Sequence, residues 1–439
     1  MKQLIDHYVS VNKKFNFSFL IAALWAIFSI WVARFWFDDL SNQIGGFLAG
    51  YIILFIAIIP GFINAFMFAS LMLDKRPTRT HLKSYPALSI LVACYNEEKN
   101  ISSTILSIYK QKYPGPLEVI VINDGSQDQT KNIVKRLIKR FSWLKLMDVE
   151  ENQGKALCLN QGLQAAKYNT IITIDGDSFL FKDALARIVE RYKNDPPHTR
   201  AIAGAVMVRN SRENWITQSQ EWDYFHGIAT VKRVQSLYQG TLVAQGAFSL
   251  YDKKALQEVQ GWPNTIGEDI VLTWALLEKN YRVGYCEDAI VFTEVPNTFL
   301  GFVRQRERWA RGMFEAFQFH PKILFKNKLY VFFIWWDLFF PFMDIAFTFG
   351  FIPGLIAAFF GHYWIVGPMT LSLFPIALFV NWVMYHIEGK MFNLQKLVVR
   401  RNVLGFIIYI FPYSIMLQPA AVIGYFYQIA GIRKTWGTK

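Results

Sequence analysis

The chain has 439 residues, of which 53% are hydrophobic and 17% aromatic, and it carries a formal net charge of +13. So apolar a composition argues against a wholly soluble enzyme and predicts membrane spans. The positive charge could indicate a nucleic-acid partner, but no recognition module is visible, and basic side chains also flank membrane spans and meet phosphate groups. We therefore expect no nucleic-acid partner.

Two N-terminal stretches, residues 15–33 and 40–73, contain no charged side chain. They predict two transmembrane helices, at about residues 15–36 and 44–73, in an N-terminal membrane region of residues 1–83. A signal peptide is the alternative for the first stretch, but no clean cleavage site follows and a second span comes at once. Flanking basic residues predict a cytoplasmic N-terminus and a cytoplasmic middle region. They are Lys13, Lys14, Lys75, Arg76, Arg79 and Lys83.

The middle region, residues 84–298, has a different pattern. Short apolar runs at 88–94, 117–123 and 170–175 alternate with helix-like stretches at 97–111, 128–140 and 154–166. This alternation predicts βαβ units and a parallel sheet. Ligands of such sheets bind beyond the carboxyl ends of the strands, which is where Asp124 and Asp175 fall. Their position therefore points to a functional role.

The C-terminal region, residues 329–439, is apolar again and predicts about three transmembrane helices. A short basic piece near residues 390–401 predicts an interfacial segment on the cytoplasmic face. Five spans in all would place the tail residues Arg433, Lys434 and Lys439 outside, against the usual bias of basic residues toward the cytoplasm. Either the tail departs from this bias or one apolar stretch is re-entrant or interfacial, and the sequence leaves both open.

Four residues carry candidate nucleotide and metal chemistry. Asp124, in Asn-Asp-Gly-Ser, follows the second predicted strand, although Asp-Gly is also a common turn. Lys155 opens a predicted helix, and a helix N-terminus with a lysine suits a phosphate group. Asp175 and Asp177 end an apolar strand, and paired carboxylates there can hold Mg²⁺ or Mn²⁺ while a diphosphate supplies further ligands.

Two later motifs each have a plainer interpretation. Glu268 and Asp269 start a predicted helix, where acids stabilise the first turn, but either could also act as a general base. Gln305-Arg306-Glu307-Arg308-Trp309 lies in an amphipathic stretch, residues 299–328, that could be a basic interfacial helix. The more specific interpretation is that Arg308 binds a diphosphate and that Trp309 packs beneath an acceptor sugar. On the interfacial interpretation Arg304, Arg308 and Arg311 share one face, and Phe302, Phe314 and Phe317 face lipid.

Together these motifs resemble family 2 glycosyltransferases of the processive, membrane-embedded kind, which include cellulose, hyaluronan, chitin and poly-N-acetylglucosamine synthases. The motif Gln-(Gln/Arg)-x-Arg-Trp carries most of the resemblance. It implies an α/β nucleotide-sugar-binding (GT-A-like) cytoplasmic domain embedded between α-helical transmembrane spans. It also implies a multi-pass protein of the inner (plasma) membrane that inverts the anomeric centre in a single displacement.

The resemblance also assigns roles. It implies that Tyr95, Glu97, Asp124, Lys155, Asp175 and Arg308 bind the nucleotide, and that Asp177 binds the metal. It implies that Asp269 is the base, with Glu268 beside it. It implies that Gly246, Ala247, Phe248, Gln305 and Trp309 bind the acceptor. The partners implied are a UDP-sugar donor, the growing polysaccharide, the lipid bilayer and a small membrane accessory subunit.

Within this group the layout looks most like poly-β-1,6-N-acetylglucosamine synthases, which use UDP-N-acetylglucosamine. Two departures leave the linkage open. Gly267 stands where those synthases usually carry threonine, and Arg311 stands where they usually carry glutamine. At both positions this chain looks closer to chitin-oligosaccharide and hyaluronan synthases. The sequence is also compatible with a non-processive transferase acting on a lipid carrier, and with a transporter or scaffold that has a regulatory nucleotide-binding domain.

Overall fold

The computed structural model describes residues 9–75, 79–367, 370, 373–397 and 401–432. A central α/β domain lies between two groups of apolar helices. The N-terminal group is α1 (Val11–Ile44), α2 (Gly46–Ile53) and α3 (Ile59–Met72), with a π-helical turn joining the last two. The helices of the central domain are α4 (Ile101–Tyr109), α5 (Thr130–Ile138), α6 (Lys155–Ala165), α7 (Ala184–Asn194), α8 (Trp215–Trp222), α9 (Ala229–Leu237), α10 (Lys253–Glu258), α11 (Glu268–Glu278) and α12 (Phe299–Phe319).

The C-terminal group follows a short 3₁₀ turn at Pro321–Phe325. It consists of α13 (Val331–Ala346), α14 (Ile352–Phe359), α15 (Leu373–Leu394), α16 (Val403–Ile410) and α17 (Tyr413–Ile429). Two further π-helical turns connect helices directly: Phe347–Phe351 joins α13 to α14, and Asp223–Ile228 joins α8 to α9.

Across the described residues, the sheet has eight strands in the order β3-β2-β1-β4-β7-β6-β8-β5. The predicted runs are β1 (Leu88–Cys94), β2 (Leu117–Asp124) and β4 (Thr170–Asp175), and with β3 (Leu144–Val149) they pair in parallel. The sheet is mixed rather than wholly parallel because β7 runs antiparallel to both of its neighbours. The remaining strands are β5 (Phe179–Leu180), β6 (Thr199–Val208), β7 (Phe248–Asp252) and β8 (Arg282–Thr293).

Helices cover both faces of this sheet, which explains why β1, β2 and β4 are continuous apolar runs. One face packs Ile90 and Val92 against α4 and α7. The other face packs Leu91 against α6, in a core that continues to Phe66 of α3 and Phe333 of α13. The central domain and the flanking helices therefore share one apolar core.

Among the residues that the structure describes, three helical stretches are long and apolar enough to cross a membrane: Val11–Ile44, Gly46–Met72 and Val331–Phe359. The pair α16 and α17 meets the same test only as one span bent by 53°. Of the expected interfacial segment, residues 390–394 belong to α15, while residues 398–400 lie outside the described residues, as does the basic tail 433–439.

Helix α12 contradicts the expectation that its phenylalanines face lipid. Phe302 is fully buried and its ring packs against Tyr413. Phe314 and Phe317 pack against other protein rings in the same way. The three arginines do not share one environment either, since Arg304 is exposed, Arg308 is half-buried and Arg311 is buried. The reason is that α17 lies along α12 and covers the surface that would otherwise meet the bilayer.

Candidate active site

The loops after β1 and β2 are joined at the carboxyl edge of the sheet. Asn96 adopts a left-handed φ of 54°, and its side-chain oxygen accepts a hydrogen bond from the Gln127 N–H at 2.9 Å. In return Ser126 Oγ accepts the Asn96 N–H at 2.9 Å. Asn96 therefore bridges two loops instead of capping α4. Tyr95, beside it, keeps 39% of its surface exposed, whereas Glu97 is buried.

Asp124 fixes the start of α6. Its two carboxylate oxygens accept the backbone N–H groups of Gln153 at 2.7 Å and Gly154 at 2.9 Å. Gly154 has a φ of 92°, a left-handed conformation that favours glycine, and directly precedes the helix. Asp124 is itself 4% exposed, so its first role is to place the residue that follows, Lys155.

Lys155 connects two motifs that are far apart in the sequence. Its ammonium lies 2.5 Å from Asp175 Oδ1 and 3.6 Å from Glu268 Oε1. Burial alone would lower the pKa of Lys155, but these two carboxylates raise it, and the net shift is upward. The lysine is therefore a fixed positive charge at the end of β4.

Gly246 makes room for that lysine. A Cβ atom at Gly246 would overlap Lys155 Nζ and lie 3.7 Å from Asp175 Oδ1. Ala247 follows, half-buried. Phe248 begins β7 and is fully buried, so its ring forms core and is not exposed to a sugar. In this predicted acceptor motif, Gly246 therefore lies next to Lys155, whereas Phe248 lies in the protein interior.

Asp177 stands at the other end of the Asp-Gly-Asp motif. Its Oδ1 accepts the Thr293 hydroxyl at 3.0 Å, and the residue is partly exposed. Gly176 between the two acids is required by close packing, because a Cβ there would lie 2.8 Å from Cys94 Cβ and 3.1 Å from Glu97 Cγ. The two carboxylates thus lie directly beyond the end of β4, beside the end of β1.

Glu268 and Asp269 form the first turn of α11. Glu268 is buried, and burial raises its pKa to about 7 while Lys155 pulls it down. Asp269 is half-buried, and its Oδ1 accepts the N–H of Ile270 at 2.8 Å. Among the pair, Asp269 is the more accessible carboxylate, and Glu268 is the one that holds the lysine.

Two glycines bring α11 against α12. A Cβ at Gly267 would lie 2.5 Å from Gly312 Cα, so the two backbones are in contact. The Gly267 N–H also donates to Glu315 Oε2 at 3.0 Å, and Glu315 is fully buried. Glycine at position 267, where the resembling synthases usually carry threonine, therefore has a local partner in Gly312.

Helix α12 presents the Gln-Arg-Glu-Arg-Trp motif beside this turn. Arg308 is close enough to Glu268 to lower the pKa of that carboxyl. Gln305 is 8% exposed, and its Oε1 has no hydrogen-bond partner among the described residues. Trp309 keeps 38% of its surface exposed, with Tyr224 nearby at a ring-centroid distance of 6.2 Å. The motif thus contributes a cation, an amide and an indole to one place.

Sequence reasoning missed the residues that hold these motifs in place. Lys232 is buried, donates to the Val243 carbonyl at 2.8 Å, and has its pKa lowered to about 7 by burial despite the opposing effect of Asp269. Thr273 donates to the Asp269 carbonyl at 2.6 Å and accepts the Ala244 N–H at 2.9 Å. Neither residue lies in a recognisable motif, so nothing in the sequence marks them.

Comparison with known proteins agrees with this geometry. Residues 89–260 match the sequence profile of Glycosyl transferase family 2. The chain is 33% identical over 245 residues to a poly-β-1,6-N-acetyl-D-glucosamine synthase of Staphylococcus aureus, a match that covers 56% of this chain and 58% of that protein. The chain is 35% identical over 248 residues to the enzyme of the same name from Staphylococcus epidermidis, and that match covers 56% of this chain and 59% of that protein. The match thus spans less than two thirds of the length of these relatives.

Among solved structures, the chain is similar to a mannosyltransferase from Pyrobaculum calidifontis in complex with GDP-Man and Mn²⁺. The TM-score is 0.60 at 17% identity, and the match covers 88% of this chain and 100% of that one. This likeness concerns the fold. It confirms the predicted GT-A-like domain flanked by apolar helices, and the profile match confirms the predicted enzyme class. Residues 89–260 therefore match glycosyl transferase family 2, within a domain of GT-A-like fold.

Proposed function

We propose that this protein is a processive, inverting hexosyltransferase that builds a polysaccharide of N-acetylglucosamine from UDP-N-acetylglucosamine. The observation that carries the proposal is the position of Lys155, which joins Asp175 of the donor motif to Glu268 of the base motif. The names of the two staphylococcal relatives support the choice of donor and of a β-1,6-linked product.

The nucleotide would bind across the ends of β1, β2 and β4. The exposed Tyr95 ring offers a surface for uridine, and Glu97 and Asp124 would contribute carboxylates from the ends of β1 and β2. The N-terminus of α6 favours a phosphate group, since its first N–H groups point outward and carry partial positive charge. Lys155 and Arg308 would neutralise the diphosphate as it leaves.

A divalent cation, Mg²⁺ or Mn²⁺, fits the carboxylates at the end of β4. Asp177 is partly exposed there beside Asp175, and both offer only oxygen, the donor that these ions prefer. Two carboxylates suffice when a substrate diphosphate completes the coordination. When bound, the metal would stabilise the negative charge of the departing UDP.

The transfer itself would use Asp269 as general base. Asp269 accepts the proton of the acceptor hydroxyl while that oxygen forms a bond to the anomeric carbon, and the bond from that carbon to the diphosphate oxygen breaks. One displacement of this kind inverts the anomeric centre. Glu268 would stay inside the site and keep Lys155 in place.

The acceptor end of the polymer would rest on α12. Trp309 offers an exposed indole face, which suits the C–H face of a sugar ring. Gln305 offers a buried amide oxygen that has no partner among the described residues and can accept a sugar hydroxyl. Gly246 and Ala247 would line the side nearest Lys155. The growing chain would then enter the membrane between the C-terminal helices, where a small accessory subunit could also bind.

We also propose that the membrane topology has four crossings, with the catalytic domain and the C-terminus both cytoplasmic in an inner (plasma) membrane. Three of the crossings, α1, α2–α3 and α13–α14, are long and apolar enough to span a bilayer, and the fourth is the sequence-predicted span that contains α15. The support lies in α17, which packs along α12 instead of standing apart. Gly424 allows this contact, because a Cβ there would lie 2.5 Å from the Glu307 carbonyl oxygen. Arg311 of α12 donates to the Ile432 carbonyl at 2.8 Å.

Four crossings also place the basic tail, Arg433, Lys434 and Lys439, on the cytoplasmic side, in agreement with the usual bias. A cysteine added after residue 439 in intact cells tests this proposal. It should be shielded from a membrane-impermeant maleimide until the cells are permeabilised. Labelling in intact cells would support five crossings instead.

The function is tested by offering UDP-sugars one at a time to the purified protein in lipid bilayers, followed by linkage analysis of any polymer. We expect long β-1,6-linked N-acetylglucosamine chains from UDP-N-acetylglucosamine alone. A β-1,4-linked or alternating product would indicate a chitin-oligosaccharide or hyaluronan type. Transfer of one sugar to a lipid carrier, or UDP binding without turnover, would overturn the proposal.

A further inference from the structure

A buried ion pair joins the motif helix to two other parts of the chain. Arg306 of α12 is 5% exposed, and its Nη2 lies 2.7 Å from Asp223 Oδ2. The same nitrogen donates to the Tyr413 hydroxyl at 2.8 Å, and that hydroxyl donates to the same Asp223 oxygen at 2.9 Å. Asp223 opens the π-helical turn after α8, and Tyr413 opens α17. Three distant segments therefore meet at one guanidinium.

The guanidinium also stacks on the predicted acceptor platform. Arg306 Cζ lies 4.2 Å from the centroid of the Trp309 ring, which is three residues further along the same helix. At this distance the cation–π attraction is favourable, and a planar guanidinium suits an aromatic face better than an ammonium does. The ring centroid of Phe302, one turn earlier on the helix, lies 5.1 Å from the same carbon, and that of Tyr413 lies 5.8 Å away. Arg306 thus lies close to three aromatic rings, of which only Trp309 is exposed.

The π-helical turn is shaped to bring Asp223 here. A Cβ at Gly227 would lie 3.0 Å from Asp223 Oδ1 and 3.1 Å from the Tyr409 hydroxyl, so glycine leaves the space that both groups need. π-helical turns are frequent at functional sites. A buried ion pair is also a weak source of stability, since apolar replacements are often as stable. Stability alone therefore does not account for this arrangement.

We propose that Arg306 is a positioning residue for acceptor binding. It fixes the orientation of the Trp309 indole, and Asp223 and Tyr413 fix Arg306 in turn. The inference rests on the proposed role of Trp309 as the acceptor platform. Through this network the position of α17 against α12 sets how the acceptor sugar is held, while the nucleotide half of the site stays unchanged.

The test is Arg306→Lys, which keeps a positive charge beside Asp223 but removes the planar group that stacks on the indole. Tyr413→Phe is the second variant, because it removes only the hydroxyl and keeps the ring against Phe302. Arg304→Lys is the matched control, at an exposed position of the same helix. Each protein in lipid bilayers is compared for UDP affinity, hydrolysis of UDP-N-acetylglucosamine without acceptor transfer, polymer yield and polymer length.

We expect Arg306→Lys to lower polymer yield about tenfold and to shorten the product, with UDP affinity and hydrolysis within about twofold of the wild type. Tyr413→Phe should also lower polymer yield and shorten the product, but by less than Arg306→Lys does. Arg304→Lys should change neither polymer yield nor polymer length. Full-length polymer at the wild-type yield from Arg306→Lys would overturn the inference. A parallel loss of UDP affinity, hydrolysis and polymer would also overturn it, because that pattern belongs to a general folding role.

The proposed function fails in a different way. If the wild-type protein makes no polymer from any UDP-sugar, the function is wrong. If the wild type makes polymer and Trp309→Ala shortens it while Arg306→Lys does not, only the positioning role is wrong.

Discussion

The donor and acceptor sides of the proposed site are built differently. The donor side consists of the loops after β1, β2 and β4 and the start of α6, and neighbouring strands of one sheet bring them together. The acceptor side consists of the start of α11, the middle of α12 and the start of α17, which are separated by up to 145 residues from Glu268 to Tyr413. A sheet edge positions the donor side, whereas two glycines and a buried ion pair position the acceptor side.

This difference determines which substitutions should disturb each side of the site. On the donor side Asp124 is fixed by the backbone N–H groups of Gln153 and Gly154, and it sets the position of Lys155 in turn. On the acceptor side Arg306 is fixed by the side chain of Asp223, which comes from another helix. A conservative change on the acceptor side should therefore disturb transfer more than it disturbs nucleotide binding.

The largest effect should come from the base at the boundary of the two sides. Asp269→Asn should lower polymer synthesis by roughly 10²–10⁴-fold, the range typical of losing a general base. UDP affinity should stay nearly intact, because the amide keeps the size of the carboxylate. Turnover and UDP binding measured on the same preparation test this. Near-normal synthesis would mean that Asp269 only stabilises the first turn of α11.

Metal removal should have the next largest effect and should act on the donor side. Asp177→Ala should weaken metal-dependent UDP binding and lower turnover by roughly 10–100-fold, the range that changes near metal ligands produce. Excess chelator should stop the wild-type enzyme, and added Mg²⁺ or Mn²⁺ should restore it. Unchanged turnover in excess chelator would remove the metal from the mechanism.

The contact of α11 with α12 should be broken by a single methyl group. In Gly267→Ala the new Cβ would lie 2.5 Å from Gly312 Cα, and backbone cannot move aside as a flexible side chain can. We expect the free energy of unfolding to fall by about 1–3 kcal/mol, as for other overpacked sites. Turnover should fall as well, because Asp269 moves.

The matched control for this variant is Gly389→Ala, where a Cβ would have no heavy atom of the described side chains within 4 Å. It should be neutral or slightly stabilising, because alanine favours helix. Thermal unfolding in detergent and turnover measure both variants. Wild-type stability and activity in Gly267→Ala would contradict the close contact.

The smallest effect concerns pH. Burial raises the pKa of Glu268 from an ordinary 4.5 to about 7, so between these values the folded protein holds more protons than the unfolded chain. This carboxyl therefore makes stability fall as pH rises from 4.5 to 7. Glu268→Gln removes the titrating group, so its unfolding midpoint should depend less steeply on pH in this window. A steeper fall in the variant would refute the assignment.

The sequence predicted the strands under the proposed donor side and the carboxylates at their ends, because strand ends in an α/β sheet converge whatever the details of packing. The runs at 88–94, 117–123 and 170–175 are strands, and Asp124 and Asp175 lie at their carboxyl ends. What the sequence could not predict is the antiparallel β7 and the buried position of Phe248. Both depend on long-range pairing that a short apolar run does not specify.

On the acceptor side the sequence revealed the motifs, but it did not reveal the residues that hold those motifs in place. Arg311 belongs to the predicted basic face with Arg304 and Arg308, and only the packing of α17 explains why it is buried. Periodicity shows which residues share a face of a helix, but it does not show whether lipid or another helix covers that face. For the same reason the sequence left the last apolar stretch open between a span and an interfacial helix.

The separation of the two sides is tested most directly by comparing Lys155→Met and Trp309→Ala in one experiment. UDP affinity and product length are measured for both proteins in lipid bilayers, after thermal unfolding shows that each is folded. We predict weaker UDP binding from Lys155→Met, with chains of normal length once donor is saturating. We predict normal UDP binding and short chains from Trp309→Ala. Full-length polymer from folded Trp309→Ala protein would contradict the account.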